Sequence, residues 1–282
     1  MSLDGSRNFL ATASTGDPLR IWSVSDRNCV AELFSTESFT NCMQIDSKRC
    51  LSGSPTGDLI EWDISQLQQP EFGQNAYHDN AFRLYPSRKL KGHTHNVTCL
   101  EFDDFQILSG SMEGTIRAWD LESGITLSVF GQTLYVPESS QQVSCLHFDE
   151  HALTAGYGDG TIKFLDLRSG LCVKELSAGA PVSCITFNDK LFVSGSKNGS
   201  IQVWDVRTGS VLHRSTLSDP IEGLALDQTR LYAASGHQIL VSNPRESTDP
   251  RCLVFERPCT SLLLSQSLFV SNDRGYIVNY PI

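Results

Sequence analysis

Nine cysteines, seven histidines and 32 acidic residues are the side chains of this 282-residue chain that could bind a metal, carry a redox couple or move a proton. Their spacing argues against all three. Metal sites gather thiols in short pairs such as C-x-x-C, because the ligands must converge on one ion, and no such pair occurs. Instead Cys42, Cys99, Cys145 and Cys184 each stand three residues ahead of an apolar residue, namely Ile45, Phe102, Phe148 and Phe187. Gly223 and Ser261 hold the same place later in the chain, and Cys29, Cys172 and Cys252 share a second phase. Small residues at a fixed place on a strand suit close packing, and unpaired Cys is among the most buried residue types. The cysteines are therefore expected in a core. The histidines share no spacing, and no Gly-rich phosphate loop, G-x-S-x-G elbow or H-E-x-x-H helix is present. No catalytic residue, cofactor or metal site is expected.

The placement of these residues follows from a repeat. Its clearest copy runs from Val193 to Gly209: Ser194-Gly-Ser196, the turn Asn198-Gly199, Ile201 and Val203 alternating with polar neighbours, Trp204-Asp205 and then Thr208-Gly209. Alternation at a period of two puts one face of a strand into a core, and Asn-Gly predicts a two-residue hairpin with both residues at positive φ. Degraded copies place the Trp position at Trp22, Trp62, Trp119, Leu165, Trp204, Ser242 and Tyr280, at intervals of 40, 57, 46, 39, 38 and 38 residues. Inner strands such as Val97–Phe102, Val143–Phe148 and Val182–Phe187 precede the hairpins, and outer strands such as Leu171–Leu176 follow them. The net charge of −10 and pI near 5.1 argue against general nucleic-acid binding, which needs a basic face to displace counterions. No apolar run approaches the ~20 residues of a membrane span, so direct membrane insertion is not expected.

A period near 40 with four strand-like runs and a Trp-Asp ending resembles the WD-repeat family over nearly the whole chain. The resemblance implies an all-β fold, a seven-bladed WD-repeat β-propeller forming one domain over residues 1–282. Trp22, Trp62, Trp119, Trp204, His93, Asp159 and Asp205 are then structural. The family's His, Ser or Thr, Asp and Trp hydrogen-bond tetrad is approached only in the third copy, at Gly92-His93, where Glu113 stands at the Asp position, so stability is expected to rest mainly on packing. The chain stops just after the third strand of the seventh copy, so the last blade is expected to lack its outer strand and the native protein to extend upstream of Met1. Two insertions, 65–87 and 131–142, read as surface loops, the first as a mobile one.

In WD-repeat propellers the loops leading into inner strands and the mid-hairpin turns share a rim that binds partners. Here that rim predicts Thr94, His95, Met112, Glu113, Tyr135, Tyr157, Lys197, Asn198, His237 and Arg274, with exposed Tyr and Met suited to a protein interface. Each alone also reads as a solvated turn residue. The short turns at Phe102-Asp103, Phe148-Asp149, Phe187-Asn188 and Leu226-Asp227, with Leu90-Lys-Gly-His-Thr-His-Asn-Val-Thr-Cys-Leu-Glu-Phe-Asp103 and Asp166-Leu-Arg-Ser-Gly170, are similar to the fungal and algal mitochondrial division adaptors. That resemblance implies a cytoplasmic, non-catalytic scaffold, peripheral at the cytosolic face of the mitochondrial outer membrane, that recruits a dynamin-related GTPase. Oligomerisation and binding to the membrane receptor would fall to upstream sequence. The alternative is the substrate-receptor propeller of an F-box ubiquitin ligase, or another WD-repeat adaptor. Only Lys197 and Arg274 on this rim are basic, which disfavours reading of phosphorylated motifs.

Overall fold

The computed structural model describes residues 2–3, 9–13, 18–35, 42–68, 81–131, 141–149, 152–187, 191–227, 229–244, 251–254, 258–264, 267–272 and 277–281. The chain divides into two compact units, Met1–Val129 and Phe130–Ile282. Among the described residues it is all-β, with seven sheets and one short 3-10 helix, Ser65–Gln68.

The first unit holds three sheets. The first pairs Ser2–Leu3, Phe9–Thr12, Leu19–Ser23 and Asn28–Leu33 in antiparallel order, and Phe82–Leu84 adds a fifth strand in parallel. The second consists of Cys42–Ile45, Arg49–Gly53, Leu59–Asp63 and Arg88–Leu90, the third of Val97–Phe102, Gln106–Ser111, Ile116–Asp120 and Thr126–Phe130. In the second unit, Val143–Phe148, Val182–Phe187 and Ile221–Leu226 each begin a four-stranded sheet, and Cys259–Leu264 begins one with three strands among the described residues.

Cysteine against glycine sets the packing. Directly opposite each inner-strand Cys lies the Gly of the Ser-Gly-Ser or Ala-Gly run, as Cys42–Gly53, Cys99–Gly110, Cys145–Gly156 and Cys184–Gly195. In the last three the inner strand bulges one residue before the Cys, which re-aims the side chain. At Gly53, Gly156 and Gly195 the hollow over the Gly also receives the first residue of the next inner strand. A Cβ built on Gly156 would lie 2.6 Å from Val182 Cγ1 and 2.7 Å from Cys145 Sγ, and one on Gly195 2.6 Å from Ile221 Cγ2 and 2.8 Å from Cys184 Sγ. The thiols finish the joint by donating to the neighbouring carbonyls, Cys42 to Val97 O and Cys184 to Ile221 O. Cys172 departs from the core expectation. It is exposed on its outer strand, where the thiol donates to Lys174 O at 3.4 Å.

The turns correct one expectation. Gly199 N donates to Ser196 O at 3.1 Å and Gly199 alone takes a positive φ, 81°, so the loop has three residues and Asn198 keeps an ordinary φ. Asn198 Oδ1 instead accepts from Ser200 N at 3.0 Å. Asp159 does the same for Thr161 N at 2.8 Å. Asp205 closes the next turn, accepting from Thr208 N at 2.7 Å, and that hydrogen bond lowers its pKa. The insertion at 65–87 also differs from a mobile loop at both ends. Leu67, Phe82 and Leu84 pack on the core that the first and second sheets share, and residues 69–80 of the insertion lie outside the described residues. Most of the 131–142 insertion lies outside the described residues.

Trp62 and Trp119 are fully buried whereas Trp22 is only half-buried. Trp62→Ala and Trp119→Ala should each lower unfolding free energy by about 3–5 kcal/mol, and Trp22→Ala by clearly less. Urea unfolding midpoints check this, and equal losses at all three would contradict the burial order.

Candidate protein-binding turns

The third sheet carries the most ordered polar site. Its approach loop, residues 91–96, reaches the sheet at Gly92, where a Cβ would lie 2.6 Å from Trp119 Cη2. That contact seats His93 beside the Trp, with ring centroids 6.2 Å apart. Trp119 Nε1 donates to Ser109 Oγ at 2.9 Å, Ser109 Oγ lies 2.8 Å from His93 Nε2, and His93 Nδ1 lies 2.7 Å from Glu113 Oε1. An indole N–H only donates, so Ser109 accepts it and gives its own proton to Nε2. The ring is then neutral, with its proton on Nδ1 directed at the Glu113 carboxylate. The full tetrad therefore forms with Glu in place of Asp, a correction to the expectation that this copy only approaches it. The longer side chain also serves the turn, since Glu113 accepts from Thr94 N at 2.9 Å, from Thr115 Oγ1 at 2.5 Å and from Thr94 Oγ1.

These contacts set the protonation. Burial alone would raise the Glu113 pKa, but the bonds from Thr115, Thr94 and His93 outweigh it and hold the carboxyl at about 2. Burial is the largest influence on His93 and lowers its pKa in spite of Glu113. The paired, ionised Glu113 and the neutral His93 are thus mutually consistent.

The expected rim residues fall into separate groups. In the first unit Thr94, His95, Met112 and Glu113 share two adjoining turns, joined by Met112 N donating to Asn96 O at 2.9 Å. The His95 side chain is 67% exposed and Met112 44%, so this pair offers contact area. Tyr157 does not. It is 4% exposed, turned inward at the end of its strand with Lys163 Nζ 5.1 Å from its ring centroid, and it is removed from the contact surface. Lys197 and Asn198 are exposed on one turn of the second unit and His237 on another. Tyr135 and Arg274 lie outside the described residues. Sequence reasoning missed Phe105, 78% exposed in the turn at the far end of Val97–Phe102, where Asp103 Oδ1 caps Phe105 N at 2.7 Å. The Asp-Asp-Phe-Gln run was the available signal.

Burial pushes the Cys50, Cys99 and Cys184 thiols up to about 12, which keeps them protonated and poor metal ligands. No group of three or more His, Cys, Asp or Glu suited to a metal is found among the described residues.

Residues 84–120 match the family described as WD domain, G-beta repeat, and residues 131–190 match the anaphase-promoting complex subunit 4 WD40 domain. The chain thus carries WD-repeat sequence over residues 84–120 and 131–190. The matched WD repeat at 84–120 contains the whole tetrad, and a crystal structure of the computationally designed Ika8 protein shares the fold with a TM-score of 0.76 at 21% identity, covering 98% of this chain and 81% of that one. Mitochondrial division protein 1 of Kluyveromyces lactis is 31% identical over 115 residues, 40% of this chain and 16% of that protein. The protein of that name in Saccharomyces cerevisiae S288c is 30% identical over 135 residues, 44% and 18% respectively. The CCR4-associated factor 4 homolog of Vanderwaltozyma polyspora is 25% identical over 126 residues, 43% and 18%. The chain thus spans a fifth or less of the length of these curated relatives. No helix among the described residues is long and apolar enough to cross a membrane.

The tetrad gives the third sheet a pH signature. The folded Glu113 pKa of about 2 lies below its ordinary 4.5, so its stabilisation is complete above pH 4.5 and is lost as pH falls toward 2. The lowered His93 pKa acts from pH 6.5 downward, where the unfolded chain takes up the proton more readily than the folded one. Glu113→Gln should cost about 1–3 kcal/mol at pH 7, and its deficit against the unaltered chain should narrow between pH 4.5 and 2. Urea titrations at several pH values check both, and a deficit independent of pH would refute the assignment.

Proposed function

We propose that the chain is a non-catalytic adaptor scaffold that recruits a dynamin-related GTPase to the cytosolic face of the mitochondrial outer membrane for organelle division. The similarity to mitochondrial division proteins of several fungi carries this reading. The site geometry suits a protein partner. Thr94, His95, Met112 and Glu113 are held by backbone and carboxylate hydrogen bonds, so a partner meets turns that are already ordered and need little further ordering on binding. Lys197, Asn198 and His237 offer further polar contacts in the second unit. Arg274 and Tyr135 remain candidates by sequence alone. The net charge of −10 favours encounter with a basic surface on the partner.

Calorimetric titration of the chain with the dynamin-related GTPase of its source organism, in both nucleotide states, tests this beside a His95→Ala, Met112→Ala double variant. Binding at about micromolar Kd or tighter is expected, with a loss of about ten-fold or more in the variant. No heat of binding from a folded chain would refute recruitment of the GTPase, and full affinity in the variant would exclude the turns of the third sheet.

A further inference from the structure

Among the described residues, the first sheet differs from the others in having its outer edge occupied. Residues 82–84 come from the insertion between Leu59–Asp63 and Arg88–Leu90 of the second sheet, yet they pair in parallel with the outer strand of the first, Ala31 opposite Phe82, Glu32 opposite Arg83 and Leu33 opposite Leu84. Phe34 N closes the ladder by donating to Leu84 O at 2.8 Å. Phe82 and Leu84 pack on the core containing Ala31 and Leu33, the Arg83 guanidinium carbon lies 5.3 Å from the Phe34 ring centroid, and Tyr85 meets the same ring at 6.2 Å. Among the described residues, the outer strands Thr126–Phe130, Cys172–Ser177 and Val211–Thr216 carry no fifth strand.

We propose that this edge is a peptide-docking groove that the chain closes with its own residues 82–85, and that its partner is an extended segment of another protein with the order apolar, basic, apolar, aromatic. Three features carry it. The groove reads side chains in alternation, with two apolar seats over the core and one aromatic ring, Phe34, that receives both a cation and a ring. The occupant is three residues of parallel strand, a short pairing of the slightly weaker kind, with Arg83 exposed and Tyr85 69% exposed. The edge beneath it is apolar, with Ala31 and Leu33 buried, so it needs a cover whether that cover comes in cis or in trans. The acidic chain further favours the basic position in the incoming segment. This surface lies on the outer strand and is separate from the turns assigned above to the GTPase, so each reading stands or falls alone.

The probe is a labelled synthetic peptide of residues 81–87, Ala-Phe-Arg-Leu-Tyr-Pro-Ser. It is titrated into the full chain and into a Phe82→Gly, Leu84→Gly variant that vacates the groove. Saturable binding about ten-fold tighter or more to the variant is expected, and it should be lost when the peptide carries Asp in place of its Leu. Absent or equal binding to a variant that melts cooperatively overturns the proposal. If the variant does not fold, hydrogen exchange on the unaltered chain decides. The Phe34 amide should exchange about ten-fold faster or more than the core amides of Leu59–Asp63, and exchange at the core rate would show an edge that opens only on global unfolding and so overturns the proposal.

Discussion

One steric constraint governs both compact units: a strand position with no side chain, facing a thiol and a β-branched residue of the next sheet. Among the described residues no helix covers a sheet, so within each unit a four-stranded sheet must bury its faces close against a neighbouring sheet. The Cys–Gly pairs make that approach possible. Where the sequence replaces them, it does so with small pairs, Gly223 opposite Ala234 and Ser261 opposite Ser271. The hydrogen bonds from Cys42 and Cys184 thiols to the adjacent inner strands mean that the same residues that keep the space small also satisfy a carbonyl across it. Function is downstream of this joint, because the turns that could meet a partner hang from the strands it holds.

The polar layer is a local addition to that apolar frame. It is complete in the third sheet and fragmentary elsewhere. Trp204 Nε1 reaches Ser194 Oγ at 2.9 Å and Trp22 Nε1 reaches Thr12 Oγ1 at 2.9 Å, each without the His and acid of the third sheet. In the second sheet the Trp62 indole turns to Phe34 O at 3.4 Å, and the buried Ser52 Oγ has no hydrogen-bond partner among the described residues. The Phe34 backbone is thereby held at its carbonyl by the second sheet and at its N–H by Leu84. The insertion at 65–87 and the altered tetrad of the second sheet thus meet at one residue, which ties the odd spacing of that repeat to the occupied edge of the first sheet.

Much of this was legible in the sequence for a physical reason: strand alternation, Trp-Asp and Ser-Gly-Ser are local patterns repeated often enough to fix strand order and core. The phase shared by Cys42, Cys99, Cys145 and Cys184 even marked the packing joint. What was not legible depends on reach and on distant partners. Glu113 completes a tetrad because one extra methylene still lets its oxygens meet His93 and Thr94, a matter of geometry that residue type alone does not reveal. Asn198-Gly199 carries a hairpin signal, yet only a three-residue loop lets Asn198 cap Ser200. Tyr157 looked like a rim aromatic, but it ends a strand on its buried face. Phe82–Leu84 pairs with a strand some fifty residues earlier, and no local periodicity announces that. The GTPase reading has a different source, for it rests on resemblance rather than on any group whose chemistry selects a GTPase.

Neighbouring sheets interlock through the vacant glycine position, as at Gly156 and Val182. A double-mutant cycle on Gly156→Ala and Val182→Ala, with unfolding free energies from urea titration, measures it. The added methyl alone should cost about 1–3 kcal/mol by overpacking, and most of that cost should vanish when Val182 is trimmed, giving a coupling well beyond about 0.5 kcal/mol. Costs that simply add, within about 0.5 kcal/mol, would show that the two sheets do not press on each other there and would contradict the account.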